Sequence, residues 1–230
     1  MALSPGFTKR LLSALLLGPI ALGLLIAHPA TFLVVVIPAF LLALYEWMGM
    51  ARAVPSQRIL TAVLGGFYIT AAFLAFFSLG LPEMGGSWVI VLGLLLAVWA
   101  SDTGGYVFGK AYGGPKWVPS ISPNKTWAGL GGAMLLPGLF APGWMLFYLP
   151  EMYAEIGPVL MARVFLIYFF FGLVIGFVCQ VGDLFISIFK RRAGVKDTGT
   201  LIPGHGGILD RIDSLMAASL FVYIAMKVIN

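Results

Sequence analysis

Charge is what this sequence has least of. Only 10% of its 230 residues are Asp, Glu, Lys or Arg, against about one-quarter in a soluble domain, and the mean hydropathy is +1.00. A water-soluble globule is therefore excluded. The single cysteine, Cys179, excludes an intrachain disulfide, a cysteine-built zinc site and a dithiol redox pair; set in an apolar run, it reads as a small buried hydrophobe. The 29 glycines and 14 prolines follow no G-X-Y period, and 60% hydrophobic residues exclude disorder. No polar segment is long enough for a separate soluble domain. No internal repeat is visible either, which disfavours duplicated transporter architectures.

What the chain does have is long apolar runs. A helix needs about 20 apolar residues to cross a bilayer, and seven runs of about that scale occupy residues 11–27, 30–50, 59–80, 88–108, 127–148, 158–189 and 208–229. The first follows Lys9 and Arg10 and is read as a retained span and not a cleaved signal, because no A-x-A site follows closely. Pro137 and Pro142 fall inside the fifth run and threaten to break it. The sixth, at ~1.5 Å per residue, reaches ~48 Å and is expected to project beyond the membrane. Basic residues fall on alternate loops: Lys9 and Arg10; Arg52 and Arg58; Lys110, Lys116 and Lys125; Lys190, Arg191, Arg192 and Lys196. The intervening loops hold Glu83, Glu151 and Glu155 and no Lys or Arg. By the positive-inside bias the N-terminus is cytoplasmic and the C-terminus outside. The expectation is an all-α, polytopic integral membrane protein of about seven transmembrane helices, within a range of six to nine. It forms a single domain over residues 1–230, with N-terminal hydrophobic helices in 1–90 and a catalytic part in 99–230 carrying cytoplasmic loops 109–126 and 190–207.

On that topology Asp102, Asp183, Asp197, Asp210 and Asp213 all lie at or near the cytoplasmic face, and the four Glu residues lie elsewhere. Ionisable groups within spans are costly and mark functional candidates, here Asp102 and Asp183. Asp183, Ser187 and Lys190 share a helical face, as do Asp210 and Asp213. Two carboxylates one turn apart can hold a hard cation such as Mg²⁺ together with water and phosphate oxygens; the competing reading is an ion pair with a neighbouring base. The glycine-rich turn at 201–207, with His205 inside it, is expected to expose backbone N–H groups beside a helix N-terminus, a recipe for cradling phosphate. His205 could donate to phosphate or merely brace the loop, and His28 reads as structural. Ser101-Asp102-Thr103-Gly104-Gly105 is expected to belong to a second polar loop. Gly104 to Lys110 fits G-x-x-x-x-G-K, but Ala111 replaces the metal-binding hydroxyl and no β-strand precedes it, so a nucleotide P-loop is rejected.

From Ser187 to Asp213 the chain reads Ser187-x-x-Lys190-Arg191, then Lys196-Asp197-x-Gly199, then Ile202-Pro203-Gly204-His205-Gly206-Gly207-Ile208-x-Asp210-Arg211-Ile212-Asp213. This pattern resembles the signature of the phosphatidate cytidylyltransferase (CDP-diacylglycerol synthase) family. The segments Ser101-Asp102-Thr103-Gly104 and Ser122-Pro123-x-Lys125-Thr126-Trp127 resemble the family's other polar motifs. The first 90 residues resemble it only as hydrophobic helices, and Gly105 stands where Ala is expected. The resemblance implies an inner-membrane, multi-pass enzyme with its site facing the cytoplasm, joining CTP and phosphatidate into CDP-diacylglycerol and pyrophosphate in phospholipid biosynthesis. It implies Mg²⁺, with room for a monovalent cation such as K⁺, a homodimer, and a metal centre of Asp183, Asp210 and Asp213.

The chemistry suits such a site. A phosphomonoester has a second pKa of ~6, so the nucleophile is already anionic near neutrality and needs no general base. The obstacle is repulsion between two anionic substrates, which cations relieve. Lys125, Lys190, Arg191, Lys196 and Arg211 are thus expected to neutralise phosphate, with Ser187 and Ser122 as hydrogen-bond donors. Asn124, Thr126, Gly204, His205, Gly206, Gly207, Asp102 and Asp197 are expected to line the substrate site. No nucleic-acid partner is expected. The rival readings are a polyprenol kinase-like or ether-lipid transferase and, in another class, a transporter, which would spread polar residues through the midplane.

Overall fold

The computed structural model describes residues 23–24, 26–27, 29–148, 157–199 and 206–229. Within them are six helices long and apolar enough to cross a membrane: α1 (Pro29–Arg52), α2 (Arg58–Gly80), α3 (Trp88–Tyr112), α4 (Trp127–Tyr148), α5 (Pro158–Arg192) and α6 (Leu209–Ile229). The polytopic all-α expectation holds. The expected first span, residues 11–27, lies almost wholly outside the described residues. Among the described residues there is no β-strand; Lys116 and Thr126 form an isolated antiparallel bridge.

Apolar side chains cover the outside, where Ile59, Val63, Phe67 and Leu74 of α2 are exposed as a lipid-facing stripe requires. Inside, two apolar clusters form. One joins Phe32, Leu79, Val91, Leu94, Ile175, Ala218 and Val222 with Cys179, which is fully buried. The other gathers Trp47, Ile69, Ile186, Leu209 and Met216. The Trp47 ring stacks against Phe185, and its indole N–H donates to the Thr61 carbonyl at 2.9 Å. Gly65 makes this possible, since a Cβ there would fall on the Trp47 ring.

In lipid, helices gain little hydrophobic energy by associating, so close backbone packing through small residues carries the contact. A Cβ on Gly104 of α3 would strike the Gly132 carbonyl of α4, and one on Gly132 would strike that of Gly104. Gly104 lies within helix α3, which runs unbroken through Ser101-Asp102-Thr103 to Tyr112. The expected polar loop at Ser101 is therefore helix, and the loops begin at residues 113 and 193, not 109 and 190.

Nor do the prolines break α4. Pro137 leaves the Ala133 carbonyl without its usual i+4 donor, and there α5 packs in backbone to backbone: a Cβ on Gly176 would collide with that carbonyl, and one on Gly172 with that of Pro137. Neighbouring helices thus support the interrupted stretch, as membrane helices allow. Helix α5 is 35 residues long, about 52 Å at 1.5 Å per residue, so it overshoots the hydrocarbon thickness as expected.

Candidate active site

The basic loops foreseen in the sequence meet at one end of the bundle. Gly113 and Gly114, with φ of 59° and 88°, end α3 and turn the chain back. The 113–126 loop closes on itself through Trp117 N to the Lys125 carbonyl (3.3 Å) and Trp127 N to the Pro115 carbonyl (3.1 Å). Ser122 shapes the turn, its carbonyl accepting from Lys125 N at 3.3 Å. Thr126 spends its hydroxyl capping α4, accepting from Gly129 N at 3.0 Å, so this side chain braces the loop from within. Asn124 is exposed.

Lys125, fixed just before that cap, reaches α5. Its ammonium lies 2.6 Å from Asp183 Oδ2 and donates to Gln180 Oε1 at 2.7 Å. Behind it, Gln180 Nε2 donates to the Ser101 hydroxyl (3.4 Å), which donates to the Gly176 carbonyl (3.4 Å). The other oxygen of Asp183 accepts from Ser187 at 3.3 Å, one turn on. Asp213, on the second turn of α6, is buried, accepts from Ser214 N at 2.7 Å, and lies close enough to Asp183 for each carboxyl to feel the other's charge. Asp102 is exposed beside this centre, within the fields of Asp183, Lys125 and Arg211.

Asp210 is differently placed. One oxygen takes the Lys190 ammonium at 2.7 Å; the other accepts from Thr198 N (2.8 Å), the Thr198 hydroxyl (3.1 Å) and Gly207 N (3.2 Å). Lys190 is aimed by the end of α5, where Val195 N bonds the Lys190 carbonyl (3.0 Å) and Gly194 N, at φ 70°, that of Arg191 (3.1 Å). This glycine-ended stop ties off the last carbonyls of the helix. Arg191 stitches the two loops together, donating to the carbonyls of Ile121 (3.2 Å) and Val195 (3.4 Å). Lys196 and Asp197 are exposed, and Asp197 packs near Gly206, whose φ is 82°.

Three expectations change on this geometry. The three aspartates do not gather: among the described residues no three His, Cys, Asp or Glu side chains converge as a metal site. Asp183 meets Asp213, while Asp210 turns to Lys190 because that ammonium and three donors satisfy it. The amides of Gly207, Ile208 and Leu209 are no free phosphate cradle, since Asp210 and Glu46 already accept from them. Gly204 and His205 lie outside the described residues. Glu46, set aside with the other glutamates, is in fact buried at this end, against α6. Gln180 and Thr198 were not expected here, and Ser101 was expected only as part of a polar loop. A buried amide at one helical turn from Asp183 was the available signal for Gln180; Glu46 had only its place inside an apolar run, which marks any intramembrane acid.

The opposite end is plainer. There Lys227 reaches the Met84 carbonyl at 3.3 Å, beside Glu83. Fold and site together define a polytopic membrane protein with a lysine–aspartate centre at one end of its helical bundle. The profile of the cytidylyltransferase family matches residues 52–229, and the chain belongs to that family of nucleotidyl-transferring enzymes. It is similar to proteins named phosphatidate cytidylyltransferase: 32% identical over 220 residues to that of Rickettsia conorii, covering 95% of this chain and 90% of the relative. The Brucella suis protein is 40% identical over 141 residues, covering 57% and 44%. That of Staphylococcus haemolyticus is 44% identical over 126 residues, covering 55% and 44%.

Proposed function

We propose that the protein joins CTP and phosphatidate into CDP-diacylglycerol and pyrophosphate. The observation that carries this reading is the meeting of Lys125, Asp183 and Asp213, from a loop and two helices, in one centre. The phosphatidate phosphate is anionic near neutrality and attacks the α-phosphorus of CTP unaided by a general base. The new bond forms between a phosphatidate oxygen and that phosphorus, and the bond to the β-phosphate bridge breaks to release pyrophosphate. The protein's task is to hold two anions in line and neutralise them. Lys125 supplies positive charge at the centre, and Arg191, Lys196 and Arg211 supply it at the rim. Ser187 orients Asp183.

Asp183 and Asp213 lie within one another's field, and carboxyl groups that close favour a shared proton or a nearby cation. They would hold Mg²⁺, whose remaining positions suit phosphate oxygens and water. Bound there, it would offset triphosphate charge. Asp210 joins it only by leaving Lys190. A neighbouring monovalent cation such as K⁺ and a homodimer rest on the family resemblance alone.

The site faces the cytoplasm of the inner membrane in this reading. The basic loops cluster at one end, CTP is cytosolic, and phosphatidate arrives sideways from the bilayer. Cysteines at Lys116 and Lys196 should react with a membrane-impermeant reagent from the cytoplasmic side, and one at Glu83 from the other. Labelling of positions 116 and 196 from opposite sides would end the single-site reading. The central test is pyrophosphate release from labelled CTP by purified protein in detergent, with phosphatidate and not with diacylglycerol. Turnover of diacylglycerol with release of CDP in place of pyrophosphate would indicate a lipid kinase instead.

A further inference from the structure

Glu46 lies in α1, outside the residues that the family profile matches. Its side chain is nevertheless buried, 3% exposed, against the polar end of the bundle. Oε1 accepts from Ile208 N at 2.8 Å, while Oε2 accepts from Leu209 N at 3.0 Å and the Thr198 hydroxyl at 2.8 Å. That hydroxyl also lies 3.1 Å from Asp210 Oδ2. It has one proton to give, so it is shared between the two carboxylates. Gly199 and Gly207 make the room, because a Cβ on either would run into the Glu46 carboxylate.

Helix N-termini leave backbone N–H groups without intrahelical partners, and a carboxylate placed there satisfies them and favours the helix dipole. Glu46 does this from another helix. The first turns of α6 carry both Asp210 and Asp213, so whatever fixes the start of that helix fixes both. We infer that Glu46 is a positioning residue for cytidylyl transfer: it clamps Thr198 and the start of α6 so that Asp210 stays on Lys190 and Asp213 stays against Asp183. The inference rests on the proposed cytidylyltransferase reaction. It makes α1 part of the working site and not only a membrane anchor.

Glu46→Gln keeps the volume but turns an NH₂ group toward a donor, and Thr198→Val keeps the volume but removes the shared hydroxyl. In detergent, each should lower kcat about tenfold with the KM for CTP changed less than about twofold. The double variant should lose little more than the worse single one, because both cut the same link. Amide hydrogen exchange at Ile208 and Leu209 should also quicken in Glu46→Gln, a readout that needs no substrate. Wild-type kcat in both single variants, losses that multiply in the double variant, or unchanged exchange at both amides would overturn the clamp. If Glu46→Gln does not fold, Thr198→Val decides alone, and wild-type kcat there overturns it. Wild-type protein inactive on CTP and phosphatidate defeats the proposed reaction instead, and the exchange measurement still judges the clamp.

Discussion

The two lysine–aspartate pairs at the polar end look alike in length and differ in their exposure and in the donors bonded to each carboxylate. Lys125 and Asp183 meet at 2.6 Å with side chains 17% and 31% exposed, and a second carboxyl, Asp213, lies within the field of Asp183. Lys190 and Asp210 meet at 2.7 Å with 11% and 9% exposed, and three further donors from Thr198 and Gly207 satisfy Asp210. The first pair has an excess of negative charge and an open side, which suits it to receive a cation and phosphate. The second is closed and balanced. It braces α5 against the segment leading into α6. Similar ion-pair distances therefore do not mean similar roles; the number of donors and the access of solvent separate them.

The comparison can be broken most sharply at the open pair. Asp183→Asn or Asp213→Asn should cut turnover by roughly 10²–10³-fold, the scale on which removal of one preorganised electrostatic partner is felt, while the unfolding temperature in detergent stays near wild type. Turnover measured against Mg²⁺ concentration should shift to a higher midpoint, and an unchanged midpoint in both variants would refute the assignment of these two carboxyls to a metal. At the closed pair the loss should appear as stability. Lys190→Met strands a buried, well-bonded carboxylate, which costs about 3 kcal/mol, read as a lowered unfolding temperature. If Lys190→Met unfolds like wild type and yet is inactive, the two pairs share one role and the contrast fails. The smallest effect belongs to Arg191→Ala. Its bonds to Ile121 and Val195 lie on the exposed loops, where one hydrogen bond contributes on the order of 0.5–1 kcal/mol, so kcat should fall by less than about fivefold. A loss as large as that of Asp183→Asn would place the guanidinium among the groups that touch phosphate.

Residues within α3 and α4 show why some of this was legible in the sequence and some was not. Runs of apolar residues at membrane length depend only on the local solvent preference of each side chain, so six of the seven expected runs recur as helices, while residues 11–22 are outside the described part. Local rules misjudged the glycines and prolines. In isolation Ser101 to Gly105 reads as a loop and Pro137 as a break, because local rules charge glycine with backbone freedom and proline with a lost hydrogen bond. In the bundle Gly104 and Gly132 are helix-packing surfaces, and α5 packs against the backbone that Pro137 interrupts.

Composition and local spacing are enough to place this chain in a membrane, to show which of its loops are basic, and to reveal the spacing of Asp183, Asp210 and Asp213 that carries the family's pattern. These follow from composition and from neighbours within a few helical turns. Which aspartates come together depends on how the helices pack. Asp210 and Asp213 sit one turn apart, yet one faces Lys190 and the other Asp183, because residues three apart on a helix still differ by about 60° in direction and different elements pack on each side. The packing likewise decided that Glu46 belongs with Ile208, 162 residues further along the chain. That contact exists because buried backbone N–H groups at a helix start must find an acceptor, and the fold, not the local sequence, brings the nearest one within reach.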